Sequence, residues 1–437
     1  MIRGMQLRQR LAVGTFVLVA LCGTSSAAQA PNQFDQSVAA VRASDSFQKA
    51  LAILDRDHDR MVEEIVTLTE IPAPPFKEDR RARAYMEMLR GVGLADIEQD
   101  EEGNVMGVWK GTAGADAPLL AVAAHLDTVF PEGTDVTVKR DGTRLTAPGI
   151  GDDTRSLAVI LAMIRAMTEA GVTTRSDILF IGNVGEEGQG DLRGVKYLFQ
   201  KGKYKDRIRM FISIDGAGGG ADITHGGVGS RRYRVTFKGP GGHSYGAFGL
   251  VSPAFAQAGA MQRFGRLTVP DKPKTTYSVG VVGGGTSVNS IPFETFMEID
   301  MRSESREELR KLDESFLSII NEAVQEENAA RSTAQGPITA DITLIGDRPS
   351  GETPQDAAIV QTAAASIRAA GGRPTYSWSS TDSNIPISMG IPAITIDSGG
   401  RGGRAHALDE WISVDKVPSL RGIEIALATI LTLARSE

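Results

Sequence analysis

Three short apolar runs in this chain each stop at an acid or an imidazole, and that pattern limits the folds open to it. Leu119–Ala124 ends at His125-Leu126-Asp127, Ile178–Ile181 leads within a few residues to Glu186-Glu187, and Met210–Ile214 ends at Asp215. Runs of this length with no polar position, or with only a serine as at Ser213, read as strands buried on both faces. Helical periodicity fills the stretches near 156–170 and 192–201. Strands alternating with helices specify an α/β layer, a mostly parallel sheet with helices on both faces. In such a sheet ligands gather at the carboxyl ends of the strands, where these acids and this imidazole fall.

The flanking chain extends the same layer. Residues 47–70 and 77–92 read as helices, 31–45 as a polar, irregular stretch, 96–99 and 105–110 as strands, and 136–140 with 143–145 as a hairpin across Asp141-Gly142. Near Ser230 the order changes to strand, helix, two strands, a long charged helix and a last strand, which is the ferredoxin-like sequence of elements. The layer resumes with a helix over 356–370, a strand over 392–397, a glycine loop at Gly399–Gly403 leading to His406, and a helix over 417–434. The chain therefore divides into a main α/β domain in two parts (29–228 and 347–437) and an inserted ferredoxin-like α+β domain (229–346).

The first 28 residues stand apart. Arg3, Arg8 and Arg10 precede the apolar run Leu11–Cys22, and the small residues Ser26 and Ala28 fit a cleavage site. This is the pattern of a secretory signal peptide, which implies export across the inner membrane to the periplasm. A lipid anchor on Cys22 is the alternative, disfavoured by Leu21 just before it. Cys22 is the only cysteine, so the processed chain has no thiol, and a metal would have to be held by His, Asp and Glu. A net charge of −7 argues against nucleic acid as a partner.

The candidate ligands are His125, Asp127, Asp152, Asp153, Glu186, Glu187, Asp215 and His406, all in loops at strand ends. Mixed imidazole and carboxylate donors suit zinc, with cobalt or manganese as substitutes. The ordered set His125-x-Asp127, Gly151-Asp152-Asp153, Glu186-Glu187, Asp215 and His406 resembles the di-zinc exopeptidases related to peptidase T, carboxypeptidase G and aminoacylase, most closely the peptidase T-like members. The resemblance covers nearly the whole processed chain, and by it the insert over 229–346 would be a lid and dimerisation domain. It implies that His125, Asp152 and Asp215 bind one zinc, and that Glu187, His406 and the same Asp152 bind the other. Asp127 would orient His125, Glu186 would be the general base, and the Asp152–Asp153 peptide would be cis. Gly241-Gly242-His243 resembles a lid histidine that steadies the oxyanion, often from a partner subunit, so a homodimer is expected. Asn289 and Arg302 resemble lid residues that hold substrate. For Arg302 an equal reading is the polar face of a strand, because Glu298, Asp300 and Arg302 alternate with apolar residues. Asp382 matches a recurrent family position near the site, with support of the loop as its role.

The implied activity is hydrolysis of short peptides by an aminopeptidase or a di- or tripeptidase. Within the family, Asp at position 215 is the mark of aminopeptidases and dipeptidases, and Glu that of many carboxypeptidases and deacylases. The alternatives are a carboxypeptidase or N-acyl amino acid amidohydrolase of the same family and, more remotely, an inactive metal- or peptide-binding protein. The glycine run Gly216–Gly220 superficially fits a dinucleotide fingerprint, but it lacks the helix and the acid that such a site needs. Of the remaining histidines, His58 reads as surface and His225 as structural.

Overall fold

The computed structural model describes residues 32–114 and 116–436. The signal-peptide reading, with Cys22, lies outside the described residues. A nine-stranded sheet forms the centre, in the order Ala95–Gln99, Val105–Trp109, Asp177–Asn183, Leu119–His125, Ile208–Ile214, Ala393–Ile396, Asp222–Gly227 and Gly351–Glu352, with Thr375–Ser379 also paired to Asp222–Gly227. Its four middle strands, from Asp177–Asn183 to Ala393–Ile396, are mutually parallel, and antiparallel pairings flank them. The mostly parallel α/β layer is thus the observed architecture.

The apolar runs are explained by burial on both sides. Leu120, Val122 and Ala124 enter one core cluster with the helix Arg155–Ala170. Leu119, Ala121 and Ala123 enter the other, with the helices Arg193–Gln200 and Asn384–Ser388. Successive side chains of a strand point to opposite faces, so a strand with a core on each face has no place for a polar residue before its end.

The second sheet has four antiparallel strands in the order Thr275–Gly284, Glu294–Ser303, Gly229–Lys238 and Thr339–Arg348. Helices Pro253–Phe264 and Arg306–Ala330 cover one face through a core that includes Val235, Phe237, Met297, Ile299 and Phe316. The opposite face is polar, and Arg232, Asp300 and Arg302 lie on it. The strand–helix–strand–strand–helix–strand order is the one expected.

A small sheet settles where His406 goes. Trp411–Ser413 pairs with Arg144–Thr146, and Arg401–Gly403 pairs with Trp411–Ser413. Arg144 also stacks on the Trp411 ring at 4.0 Å. The late loop carrying His406 is thereby tied beside the loop carrying Asp152.

Several local expectations are corrected. Residues 32–45 are not irregular: Gln33–Arg42 is a helix, started by Asn32 and Asp35, whose side chains each accept from the other's backbone N–H. It buries Val38 and Val41 against the helices Ala358–Ala369 and Lys416–Ser436. The single helix expected over 47–70 is two, Asp45–Arg56 and His58–Thr69, because Asp57 leaves helical dihedrals; both halves follow the helix Arg155–Ala170. His58 is buried, not on the surface, and burial lowers its pKa. The run Gly216–Gly220 leads into a strand, Asp222–Gly227, where a dinucleotide site would need a helix.

Candidate active site

His125 is the last residue of its strand and is buried. Its Nδ1 lies 3.0 Å from the Asp127 carbonyl oxygen and 3.6 Å from that residue's carboxylate. A proton held at Nδ1 leaves Nε2 as the atom aimed into the site, 2.8 Å from Asp152 Oδ1. The Asp127 carboxylate has a further task. It accepts from the backbone N–H groups of Glu186 at 3.0 Å and Glu187 at 2.8 Å. One buried acid therefore fixes both the imidazole loop and the paired-glutamate loop.

Gly185 makes that second loop possible. It takes φ of 68°, and a Cβ there would lie 2.6 Å from the Arg193 side chain. A side chain at this position meets both backbone strain and a collision. The turn at Gly185 sends Glu186 and Glu187 in different directions. Glu187 Oε1 reaches His406 Nε2 at 2.9 Å, and Glu186 Oε1 accepts from Arg348 Nη1 at 3.1 Å.

Asp152 is the meeting point. Its Oδ1 faces His125, and its Oδ2 lies 3.2 Å from His406 Nε2. The Asp152–Asp153 peptide is cis. Donor atoms of Asp152, Glu187 and His406 lie within 4.8 Å of one another, and so do those of His125, Asp153 and Asp215, and those of His125, Glu186 and Glu187. Asp153 is fully buried, and its two oxygens accept from the backbone N–H groups of His125 and Gly216, at 3.1 and 3.2 Å. It fixes two strand ends.

The charges in this cluster call for cations. Burial pushes Glu186 up to about 8 against the pull of Arg348. Burial and the neighbouring Asp152 and Asp153 push Asp215 well above the carboxylate range. The hydrogen bonds that His406 donates to Asp152 and Glu187 raise its pKa to about 10. Asp152 itself is pushed up by burial, but His125 and His406 outweigh that and hold it low. Gathered acids of this kind resist ionising together. Two divalent ions would satisfy them, and two imidazoles among carboxylates are the donor set for such ions.

Several supports escaped sequence reasoning. The buried Glu410 accepts from the backbone N–H groups of Gly149, Gly151 and Asp152, each at 2.8 Å. Hydrogen bonds to a charged group contribute about 1.5–3 kcal/mol each, so Glu410 holds the Asp152 loop in shape. Arg348, the last residue of the inserted sheet, reaches into the site and also donates to the Glu186 carbonyl oxygen and to Ser380 Oγ. No local motif announces either residue, since both act across sequence-distant loops. Asp382 is buried and accepts from Asn183 Nδ2 at 2.8 Å, in line with a supporting role.

A cleft of about 470 Å³ lies over the cluster. Asp152, Glu186, Glu187, Asp215 and His406 line it together with Arg232, Arg302 and Arg348. Arg302 is therefore both on the polar face of its strand and in the cleft. His243 and Asn289 are not: they are exposed at the far end of the inserted sheet, where Gly242–His243 pairs with Ser290–Ile291. His225 is buried against the Thr353 carbonyl oxygen at 2.9 Å, away from the cluster.

Comparison with known proteins agrees with this geometry. Residues 121–432 match the model of peptidase family M20/M25/M40. Carboxypeptidase G2 of Pseudomonas sp. (strain RS-16) is 25% identical over 202 residues, covering 46% of this chain and 47% of that protein. The matched stretch thus spans about half the length of this curated relative. Aminopeptidase PepT from Bacillus cereus ATCC 10987 shares the fold with a TM-score of 0.68 at 19% identity, over 86% of this chain and 99% of that one. A Bacillus subtilis protein described as a dinuclear metal-binding peptidase of family M20 gives a TM-score of 0.60 at 17% identity, over 86% and 99%. The acids and imidazoles at the strand ends, the inserted sheet above them and the match over most of the sequence lead to one assignment: the chain belongs to peptidase family M20/M25/M40, a family of metal-dependent hydrolases.

Proposed function

We propose that the protein is a two-metal exopeptidase acting on short peptides with a free amino end. The observation that carries this reading is the Asp152 carboxylate, which offers one oxygen to the His125 side and the other to the His406 side. His125, Asp152 and Asp215 would hold one cation, Glu187, His406 and Asp152 would hold the other, and the donor set suits zinc. Bound there, the pair supplies polarisation of the scissile carbonyl and acidification of the attacking water. Glu186 takes the proton from that water and returns it to the leaving amine. Arg348 fixes the Glu186 carboxylate from the side of the inserted sheet, and Asp127 holds the backbone on which Glu186 sits. The aspartate at 215 and the fold likeness to aminopeptidase PepT support the amino-end choice.

A second reading, carboxypeptidase or N-acyl amino acid amidohydrolase, draws support from the carboxypeptidase G2 relationship and from the arginines facing the cleft. A panel of di- and tripeptides with free and blocked amino ends separates the two. Faster turnover of the free set is expected; preference for the blocked set would transfer the assignment to the second reading.

His243 and Asn289 act in this scheme from a second copy of the chain. Tyr245, Phe248 and Val288 lie near them in sequence and are 89%, 90% and 103% exposed, an apolar tip that a partner would cover. A mixture of Glu186→Gln and His243→Ala subunits should regain activity, because each mixed dimer has one site with its own Glu186 and the partner's His243. No recovery in dimers shown to have exchanged subunits would place His243 outside the reaction.

A further inference from the structure

The cleft does not end at the acidic cluster. Arg302, Ser379 and Ser380 line it and also line a second chamber of about 310 Å³ beyond. Trp378, Lys274 and Glu304 complete that chamber's character. Its wall is rigid. Trp378 lies across Gly226, where a Cβ would come within 2.1 Å of the indole, and its ring stands edge-on to His225 at 6.1 Å. The buried His225, which has no place in the reaction, is thus part of the backing of this indole.

The route into the chamber is cationic. Asp300 accepts from Arg302 Nε at 2.7 Å and from Arg232 Nε at 2.9 Å, so one carboxylate answers two guanidinium groups. The terminal nitrogens of Arg302 have no partner among the described residues, and the fork is free for a planar anion. At the far rim the Lys274 backbone N–H donates to Glu304 Oε2 at 2.9 Å, while its ammonium group has no acidic partner among the described residues. Three cations, Arg232, Arg302 and Lys274, face two carboxylates, Asp300 and Glu304, along this path, and the excess of positive charge suits the carboxyl end of a peptide better than the amino end. One further residue advances an extended chain by about 3.3–3.6 Å, and a volume near 300 Å³ is the lower end of ordinary ligand pockets.

We propose that this chamber is a substrate subsite for the carboxyl-terminal residue of a peptide longer than two residues, with the terminal carboxylate answered by Lys274 and Arg302 and an aromatic or long aliphatic side chain against Trp378. The proposal rests on the peptidase reading above and adds the length and terminal chemistry of the substrate. The test uses the metal-loaded full chain, a free-amino dipeptide, tripeptides ending in Phe and in Gly, and the same tripeptides as carboxyl-terminal amides. The wild type should favour the Phe-ended tripeptide and lose much of that preference on amidation. Lys274→Met should lower the ratio of kcat/KM for tripeptide over dipeptide about tenfold, as one lost charged hydrogen bond implies, and should shrink the effect of amidation to the part that Arg302 supplies. Trp378→Leu should erase the preference for Phe over Gly. Equal losses on dipeptide and tripeptide, or none, would overturn the subsite. Should no peptide be cleaved, the peptidase reading fails, and calorimetry on the metal-loaded Glu186→Gln chain decides the chamber separately. Binding of the Phe-ended tripeptide that weakens about tenfold with its amide or with Lys274→Met upholds the chamber; binding indifferent to both, or no binding, overturns it.

Discussion

Glu186→Gln should keep the metals and lose turnover by a factor of about 10²–10⁴, the range a positioned acid–base group contributes. The amide matches the carboxylate in size and can still accept from Arg348, whose Nη1 lies 3.1 Å from Oε1. It cannot take a proton from water. The backbone of residue 186 stays anchored to Asp127 at 3.0 Å, so the fold around the cluster should not move. Metal analysis beside steady-state kinetics checks this. Full metal content with near-normal kcat would remove Glu186 from its role as base, and lost metal content would make it a ligand instead.

Stripping the metals should abolish activity and destabilise the fold, and the destabilisation should grow with pH. The sign follows from the acids in the metal-free cluster. Glu186 is pushed up to about 8 and Asp215 well above its ordinary value, both by burial first. Between the unfolded carboxyl value near 4.5 and the folded value near 8, the native state keeps a proton that the unfolded chain has released. Stability from such a group is full below the lower value and is lost as pH rises through the higher one. His406, raised to about 10 by Asp152 and Glu187, acts in the same direction above its unfolded value of 6.5. Cations bind the deprotonated ligands, so their affinity rises over the same interval. A ligand at a thousand times its Kd adds about 4 kcal/mol per site. The gap in Tm between loaded and stripped protein should therefore widen from about pH 5 to 8. A gap that stays constant or narrows would mean that Asp215 and His406 are not the metal's ligands.

Much of this architecture was legible in the residues, for identifiable reasons. A strand with a core on each face must be apolar throughout, so Leu119–Ala124 and Ile178–Ile181 announced both the sheet and the ends where polar groups begin. The inserted sheet was legible through alternation, because one of its faces is solvated or faces the cleft. What stayed hidden depended on contacts between distant segments. Asp57 breaks a helix whose periodicity runs on unbroken, because the two halves must follow a third helix. His58 reads as surface among its charged neighbours, yet packing encloses it. Glu410 and Arg348 carry no local signature, since the loops they hold lie far away in the chain. Asp222–Gly227 has too many glycines to look like a strand, and Gly226 is needed there only because Trp378 lies across it.

The tie between Trp411–Ser413 and Arg144–Thr146 sets an order on how the site comes into being. His406 and Glu410 arrive near the end of synthesis, whereas His125, Asp152 and Glu187 arrive in the first half. A chain cut short before His406 has no second imidazole to offer and no carboxylate under the Asp152 loop. A paired-cation centre would therefore report that translation had passed Glu410, and the metal-to-protein ratio of a preparation would count the molecules in which the two halves of the site have met.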